Sequence, residues 1–125
     1  VEHAPRFLKL AEDARRQVRE LTVEEVKAKL DAGEPIKLVD VREDHEWAKE
    51  RVRGAEHLGR GILERDIEKR FPDPTTPLIL YCGGGYRSAL AAESLQKMGY
   101  VNVHSMAGGI KAWRKAGLPL DPPAT

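Results

Sequence analysis

A single cysteine, Cys82, is all that 125 residues contain. That excludes an internal disulfide and any metal site built from several cysteines, and it leaves the chain without a resolving thiol of its own. Charge of one sign is lacking as well: 21 basic and 20 acidic side chains leave a formal net charge of +1. Nucleic acid and anionic membrane surfaces demand a clear basic excess, so neither is expected as a partner. No apolar run approaches the ~18 residues of a membrane span, and the first residues lack a secretory-signal pattern. A cytoplasmic, reducing setting is expected. His3, His45, His57 and His104 have no spacing that suggests metal ligands or a Cys-His pair, so each reads as a surface or structural residue, and no metal or cofactor is expected. Trp47 and Trp113 both fall on predicted helices and are expected to anchor a core.

The length fits one domain with a core of its own. Residues 5–20 predict a helix in which Phe7, Leu10 or Ala11, Ala14, Val18 and Leu21 form an apolar stripe. It is expected to pack on the domain or on a second subunit, as the contact of a homodimer. Thr22 and Glu25 have the spacing of a capping box, which opens a helix that Gly33 closes. Ile36–Val41 reads as a strand with Asp40 and Arg42 at its C-terminal edge. A short helix follows over 43–50, whose acidic residues read as a solvated face, and then a turn and brief strand over 54–58. Ile62 to Phe71 predicts a helix facing inward with Ile62, Leu63 and Ile67, ended by Pro72, Pro74 and Pro77. Leu78–Tyr81 and Val101–His104 read as strands, with helices from Arg87 to Met98 and around Ile110 and Trp113. Alternating strands and helices predict an α/β fold: a small open parallel sheet with helices on both faces. The expected division is an N-terminal helical extension at 1–21, a domain at 22–121 and a frayed tail at 122–125.

The most informative stretch joins the strand Leu78–Tyr81 to its following helix through Cys82, Gly83, Gly84, Gly85, Tyr86 and Arg87. Glycine admits backbone angles that other residues avoid, so this loop can turn its N–H groups toward one point at a helix N-terminus, where an anion is favoured. A lone cysteine is also a common small buried hydrophobe, and three glycines a common turn. Two features favour a nucleophile in an anion cradle. Strand C-termini are where open α/β sheets place their ligands, and a guanidinium such as Arg87 is a natural counter-ion for an anion held by amides.

Four motifs resemble the rhodanese-like family of single-domain sulfurtransferases: Leu38-Val39-Asp40-Val41-Arg42-Glu43, Arg53-Gly54-Ala55, Tyr81-Cys82-Gly83-Gly84-Gly85-Tyr86-Arg87-Ser88, and Gly108-Gly109-Ile110-Lys111-Ala112-Trp113. The resemblance covers residues 22–121, leaving the N-terminal helix as an addition. It implies a persulfide on Cys82. A sulfane sulfur is taken from thiosulfate, or from a low-molecular-weight or protein persulfide, and passed to cyanide, a thiol or another thiophilic acceptor. Cys82 and Arg87 are the expected catalytic residues. Gly83, Gly84, Gly85, Tyr86 and Ser88 are the expected substrate-binding residues, with amides from Gly84 to Ser88 as the cradle. Asp40 is expected behind the loop, orienting it, and Arg42 as a structural or rim charge.

Phosphatases and arsenate reductases of this architecture carry a longer gap between cysteine and arginine than the four residues Gly83–Tyr86. The shorter loop suits a single sulfur atom better than a tetrahedral phosphate. Phosphate or arsenate chemistry is therefore the alternative, and a non-enzymatic sulfur carrier or interaction module another. The loop interior also departs from the thiosulfate enzymes of the family, which place basic residues where this chain has Gly-Gly-Gly-Tyr. Glu50-Arg51-Val52 replaces the family's usual Gly-His-Ile.

Overall fold

The computed structural model describes residues 3–122. The chain runs α1 (Pro5–Gln17), β1 (Arg19–Leu21), α2 (Val23–Asp31), β2 (Lys37–Asp40), α3 (Asp44–Lys49), β3 (Arg51–Val52), β4 (Glu56–His57), α4 (Arg60–Arg70), β5 (Leu78–Tyr81), α5 (Tyr86–Lys97), β6 (Val103–Met106), α6 (Gly109–Lys115) and β7 (Leu120–Asp121). Five strands form a parallel sheet in the order β1-β6-β5-β2-β4, and β3 pairs antiparallel with β7.

Side chains alternate across each strand, and this divides the core in two. Leu78 and Leu80 of β5, with Val39 of β2, face Leu63 and Ile67 of α4 and Ala91, Ala92 and Leu95 of α5. Ile79 and Tyr81, with Leu38, face Val26 of α2 and Ile110 and Trp113 of α6. Both faces of β2 and β5 are thus covered, which is why these strands read as unbroken apolar runs. The predicted open parallel sheet with helices on both faces is the observed architecture.

Several local expectations need correction. The first helix does not reach Glu20: it stops at Gln17, and Arg19–Leu21 join the sheet edge beside β6 in register Leu21↔Met106. That pairing partner lies 85 residues along the chain, where no helical stripe reveals it. The face of α1 is set by Ala11 and Ala14, both buried, while Leu10 is 58% exposed. Ala14 packs closely on α5 of the same chain, against Ala89 and Leu90. Ile62 points outward at 41% exposure, leaving Leu63 and Ile67 as the inward pair of α4. The strand expected at 101–104 begins two residues later, at Val103. Asp121 lies in β7, and of the expected tail residues 123–125 lie outside the described residues.

The order of the sheet places a crevice where the Cys82 loop lies. From β2 the chain moves outward to β4 on one side, and from β5 to β6 on the other, so the direction reverses between β2 and β5. The Cys82 loop leaves β5 at that edge, and the start of α6 closes against it. Ile110 N–H donates to the Cys82 carbonyl at 2.9 Å and Lys111 N–H to the Gly83 carbonyl at 3.1 Å. Gly109 has φ +59°, and a Cβ there would stand 2.5 Å from the Cys82 carbonyl oxygen and 2.6 Å from that of Gly83. Both atoms are backbone, with no flexible end to yield. Gly109→Ala is expected to lower unfolding free energy by about 2–4 kcal/mol in urea titration, strain and forced displacement together.

Candidate active site

Cys82 sits one residue past β5, with its side chain 1% exposed at the foot of α5. Gly85 is the N-cap of α5 at φ +98°, and no side chain of that residue can cap the helix. The cysteine sulfur occupies the capping position instead. Gly85 N–H donates to Sγ at 3.1 Å and Ser88 N–H, in the third helical position, at 3.3 Å. These are helix N-terminal donors that would otherwise lack partners. The Ser88 hydroxyl lies 3.5 Å from Sγ and 2.8 Å from that of Ser105, so a buried hydroxyl pair completes the sulfur's surroundings. A Cβ on Gly85 would come within 3.1 Å of the Gly108 nitrogen, so the turn needs glycine for space as well as for φ.

Of the five amides expected to form a cradle, those of Gly85 and Ser88 donate to the sulfur. The rest of the loop is Gly83, Gly84, Tyr86 and Arg87. With Cys82 they line a pocket of about 120 Å³, whose other walls are Glu46, Lys111, His3 and Phe7. Two amides of the loop are thus bonded to the sulfur, and the other loop residues line the pocket with it.

Arg87 is not a free cation. Its guanidinium forms two hydrogen bonds with the Glu46 carboxylate of α3, at 2.7 and 2.9 Å. The hydrogen bonds from Arg87, with Glu43 N–H and the Arg87 and Arg42 charges, hold the Glu46 carboxyl at about 2, well below its ordinary 4.5. The same pair raises the Arg87 pKa. The sequence pattern places Glu46 on a solvated face, but it lines the pocket instead. The signal that could have found it is its place one helical turn into α3, the helix leaving β2 at the edge where Arg87 emerges.

Asp40 and Arg42 form a buried pair, 0% and 5% exposed at the side chain, with Nη2 to Oδ2 at 2.8 Å. Arg42 Nη2 also donates to the Glu50 carbonyl at 2.7 Å, and its guanidinium lies 5.8 Å from the Tyr81 ring centroid. Burial works against the Arg42 charge, and Asp40, with Tyr81 and Glu46, outweighs that and raises its pKa. Burial, with the Asp40 charge nearby, holds the Tyr81 hydroxyl protonated far above its ordinary range, and that oxygen accepts from Val52 N–H at 3.1 Å. This network ties β2, β3 and β5 together. Arg42 is thus a structural charge, and the Asp40 carboxylate accepts from both its main-chain N–H and its guanidinium.

Trp47 is half-buried and anchors no core. It stacks on His57 at 4.9 Å and 10°, with the Arg51 guanidinium 4.6 Å from its ring centroid. His57 in turn places Nε2 2.8 Å from the Arg42 carbonyl oxygen, a structural role, as expected. Trp113 is buried, as expected, and its Nε1–H donates to the Pro119 carbonyl. His3, set aside on sequence grounds, is on the pocket wall.

The model of the rhodanese-like domain matches residues 22–116, and the chain belongs to that family. Thiosulfate sulfurtransferase GlpE of Haemophilus influenzae is 36% identical over 85 residues, covering 67% of this chain and 78% of that protein. The probable adenylyltransferase/sulfurtransferase MoeZ of Mycobacterium tuberculosis is 32% identical over 114 residues. Those residues are 88% of this chain but only 29% of MoeZ, so the chain spans under a third of that relative. Among solved structures, a Rhodopseudomonas palustris protein described as a possible tyrosine phosphatase superposes with a TM-score of 0.79 at 30% identity, covering 97% of this chain and 98% of its own.

Asp40→Asn leaves the Arg42 charge buried without its partner and is expected to cost about 3–5 kcal/mol in urea titration. The Glu46–Arg87 pair has a different signature. A carboxyl lowered from 4.5 to about 2 contributes stability that is complete above 4.5 and is lost as pH falls toward 2. The stability advantage of the wild type over Glu46→Gln, followed by thermal melts, should be constant near neutrality and shrink across that acid window.

Proposed function

We propose that the chain is a sulfurtransferase that cycles through a persulfide on Cys82. The observation that carries this reading is a buried cysteine sulfur receiving two N–H donors at a helix N-terminus, on the floor of a pocket of about 120 Å³. With thiosulfate, the Cys82 thiolate attacks the outer sulfur. The Sγ–S bond forms, the donor S–S bond breaks, and its electron pair leaves on sulfite. With a persulfide donor the leaving group is a thiolate. A thiolate or cyanide acceptor then attacks the outer sulfur of the Cys82 persulfide and releases the Cys82 thiolate, closing a two-stage cycle with no net electron gain or loss on the enzyme. The Gly85 and Ser88 amides stabilise the sulfur anion, each amide being worth about 3 kcal/mol where aimed at developing charge. The partners are a small sulfane donor, thiosulfate or a persulfide including a protein-borne one, and a thiol or cyanide acceptor. A reducing compartment such as the cytoplasm keeps the single thiol free.

The Rhodopseudomonas relative gives phosphate chemistry a place as the second reading. Against it stand the four-residue loop and the Arg87 guanidinium, whose fork is already engaged by Glu46 where a phosphate would need it.

Intact-mass measurement after incubation with thiosulfate, and separately with a low-molecular-weight persulfide, should show a gain of one sulfur atom, about 32 Da, removed by cyanide and absent in Cys82→Ser. Release of phenol from an aryl phosphate without any such mass gain would move the assignment to phosphate chemistry. Failure of both, in folded protein, would leave an interaction module.

A further inference from the structure

We propose that the N-terminal helix is part of the substrate site, and that an aromatic wall of His3, Phe7 and Tyr86 selects a sulfane donor bearing an apolar organic group. The inference rests on sulfur transfer at Cys82 and specifies the donor class.

The wall is built from two elements. Tyr86 opens α5 next to the glycines of the loop, while His3 and Phe7 belong to the start of the chain. Their rings meet in one cluster: His3 to Tyr86 at 4.8 Å edge-on, His3 to Phe7 at 5.3 Å and Phe7 to Tyr86 at 6.3 Å. The Arg15 guanidinium of α1, 5.9 Å from the Tyr86 ring centroid, adds a cation–π contact. Phe7 does not reach the site on a loose arm. Phe7, Ala11 and Ala14 share one helical face by their spacing; the two alanines are buried at 0% and 1% exposure, and Ala14 and Phe7 pack on Ala89 and Leu90 of α5. A rigid helix–helix contact therefore holds Phe7 at the mouth of the pocket.

The same pocket is also lined by the charged side chains of Glu46, Arg87 and Lys111, together with Cys82, Gly83 and Gly84. The pocket thus combines an aromatic cluster with charged side chains. Thiosulfate carries only oxygens on its sulfonate end and gains nothing from the aromatic rings. It would also find the Arg87 fork engaged by Glu46. A thiosulfonate, R–SO2–S⁻, matches both, with its organic group on the rings and its oxygens toward Lys111. Its reaction balances in the same way. The Cys82 thiolate attacks the terminal sulfur, the Sγ–S bond forms, the donor S–S bond breaks, and the electron pair leaves on the sulfinate R–SO2⁻. No proton or outside oxidant is required.

The test compares benzenethiosulfonate with thiosulfate, both with cyanide as acceptor and thiocyanate as readout, using the full chain. Phe7→Ala should lower the ratio of kcat/KM for benzenethiosulfonate to that for thiosulfate by about fivefold to tenfold relative to wild type, the loss of one aromatic contact. Phe7→Leu, which keeps an apolar side chain on the helix, should give a smaller drop and serves if the alanine variant does not fold. Leu10→Ala, on the exposed side of α1, should leave the ratio at the wild-type value. An unchanged ratio in folded Phe7 variants, with persulfide still formed from both donors, overturns the aromatic wall alone. Absence of a Cys82 persulfide in the wild type with either donor overturns the sulfur-transfer reading on which it rests.

Discussion

The site depends on a pair of main-chain hydrogen bonds that involve no side chain. The carbonyls of Cys82 and Gly83 are drawn outward onto the N–H groups of Ile110 and Lys111 at the start of α6. A peptide unit whose carbonyl is anchored on one side carries its N–H on the other, so these bonds turn the N–H groups of Gly83 and Gly84 away from α6. The approach is possible because Gly85, Gly108 and Gly109 all have positive φ, and a Cβ on Gly85 or Gly109 would meet the facing backbone. It is held from behind by Ile110 and Trp113, both in the core on that face of the sheet. The Gly108-Gly109-Ile110-Lys111-Ala112-Trp113 motif is therefore one device: glycines for close approach, amides for the clamp, apolar residues for the anchor.

Charge plays a smaller part at the sulfur than the composition of the loop suggests. The one cation inside the cysteine-to-arginine segment is matched by Glu46, and the Arg42 cation is matched by Asp40 deeper in the sheet edge. Both arginines act by geometry: Arg87 joins the loop to α3, and Arg42 joins β2 to the β3 segment through the Glu50 carbonyl. The groups bonded to Sγ itself are amides at the head of α5, whose dipoles favour an anion there and act over one helical turn. Such a field is less sensitive to salt than surface lysines would be, because its donors are buried beside the sulfur.

How much of this was legible in the sequence follows the range of the interactions. The capping box at Thr22 and Glu25, the stop at Gly33 and the strand–cysteine–glycine–helix order are set by near neighbours, and all appear in the structure as read. The motif clusters likewise marked the family, because glycines required by close backbone approach leave a fixed pattern. What escaped were partnerships across the fold. Arg19–Leu21 look helical by pattern but pair with β6, since a sheet edge offers backbone partners that outweigh a three-residue extension of the helix. Glu46 resembles any acid on an exposed helix until Arg87, 41 residues on, is placed beside it. His3 and Phe7 acquire meaning only when the Ala11–Ala14 face is docked on α5, and nothing within the helix itself distinguishes that outcome from a plain amphipathic stripe.

The double use of the cysteine sulfur bears on the chemistry. In the resting protein Sγ completes the cap of α5, taking N–H bonds that a serine or aspartate oxygen would take elsewhere. On the proposed cycle, a second sulfur is added at about 2 Å from Sγ, the length of an S–S bond. The inner sulfur can keep the Gly85 and Ser88 bonds while the outer one projects into the pocket, toward the segment Gly83, Gly84, Tyr86 and Arg87 that lines it. The helix start then stays capped in both states, and adding or losing the outer sulfur does not require the fold beneath it to change. A phosphoryl group would ask more of the same loop, since its several oxygens each need donors, and the guanidinium that could serve two of them is held by Glu46. A four-residue loop pinned from below by α6 has little freedom to supply them.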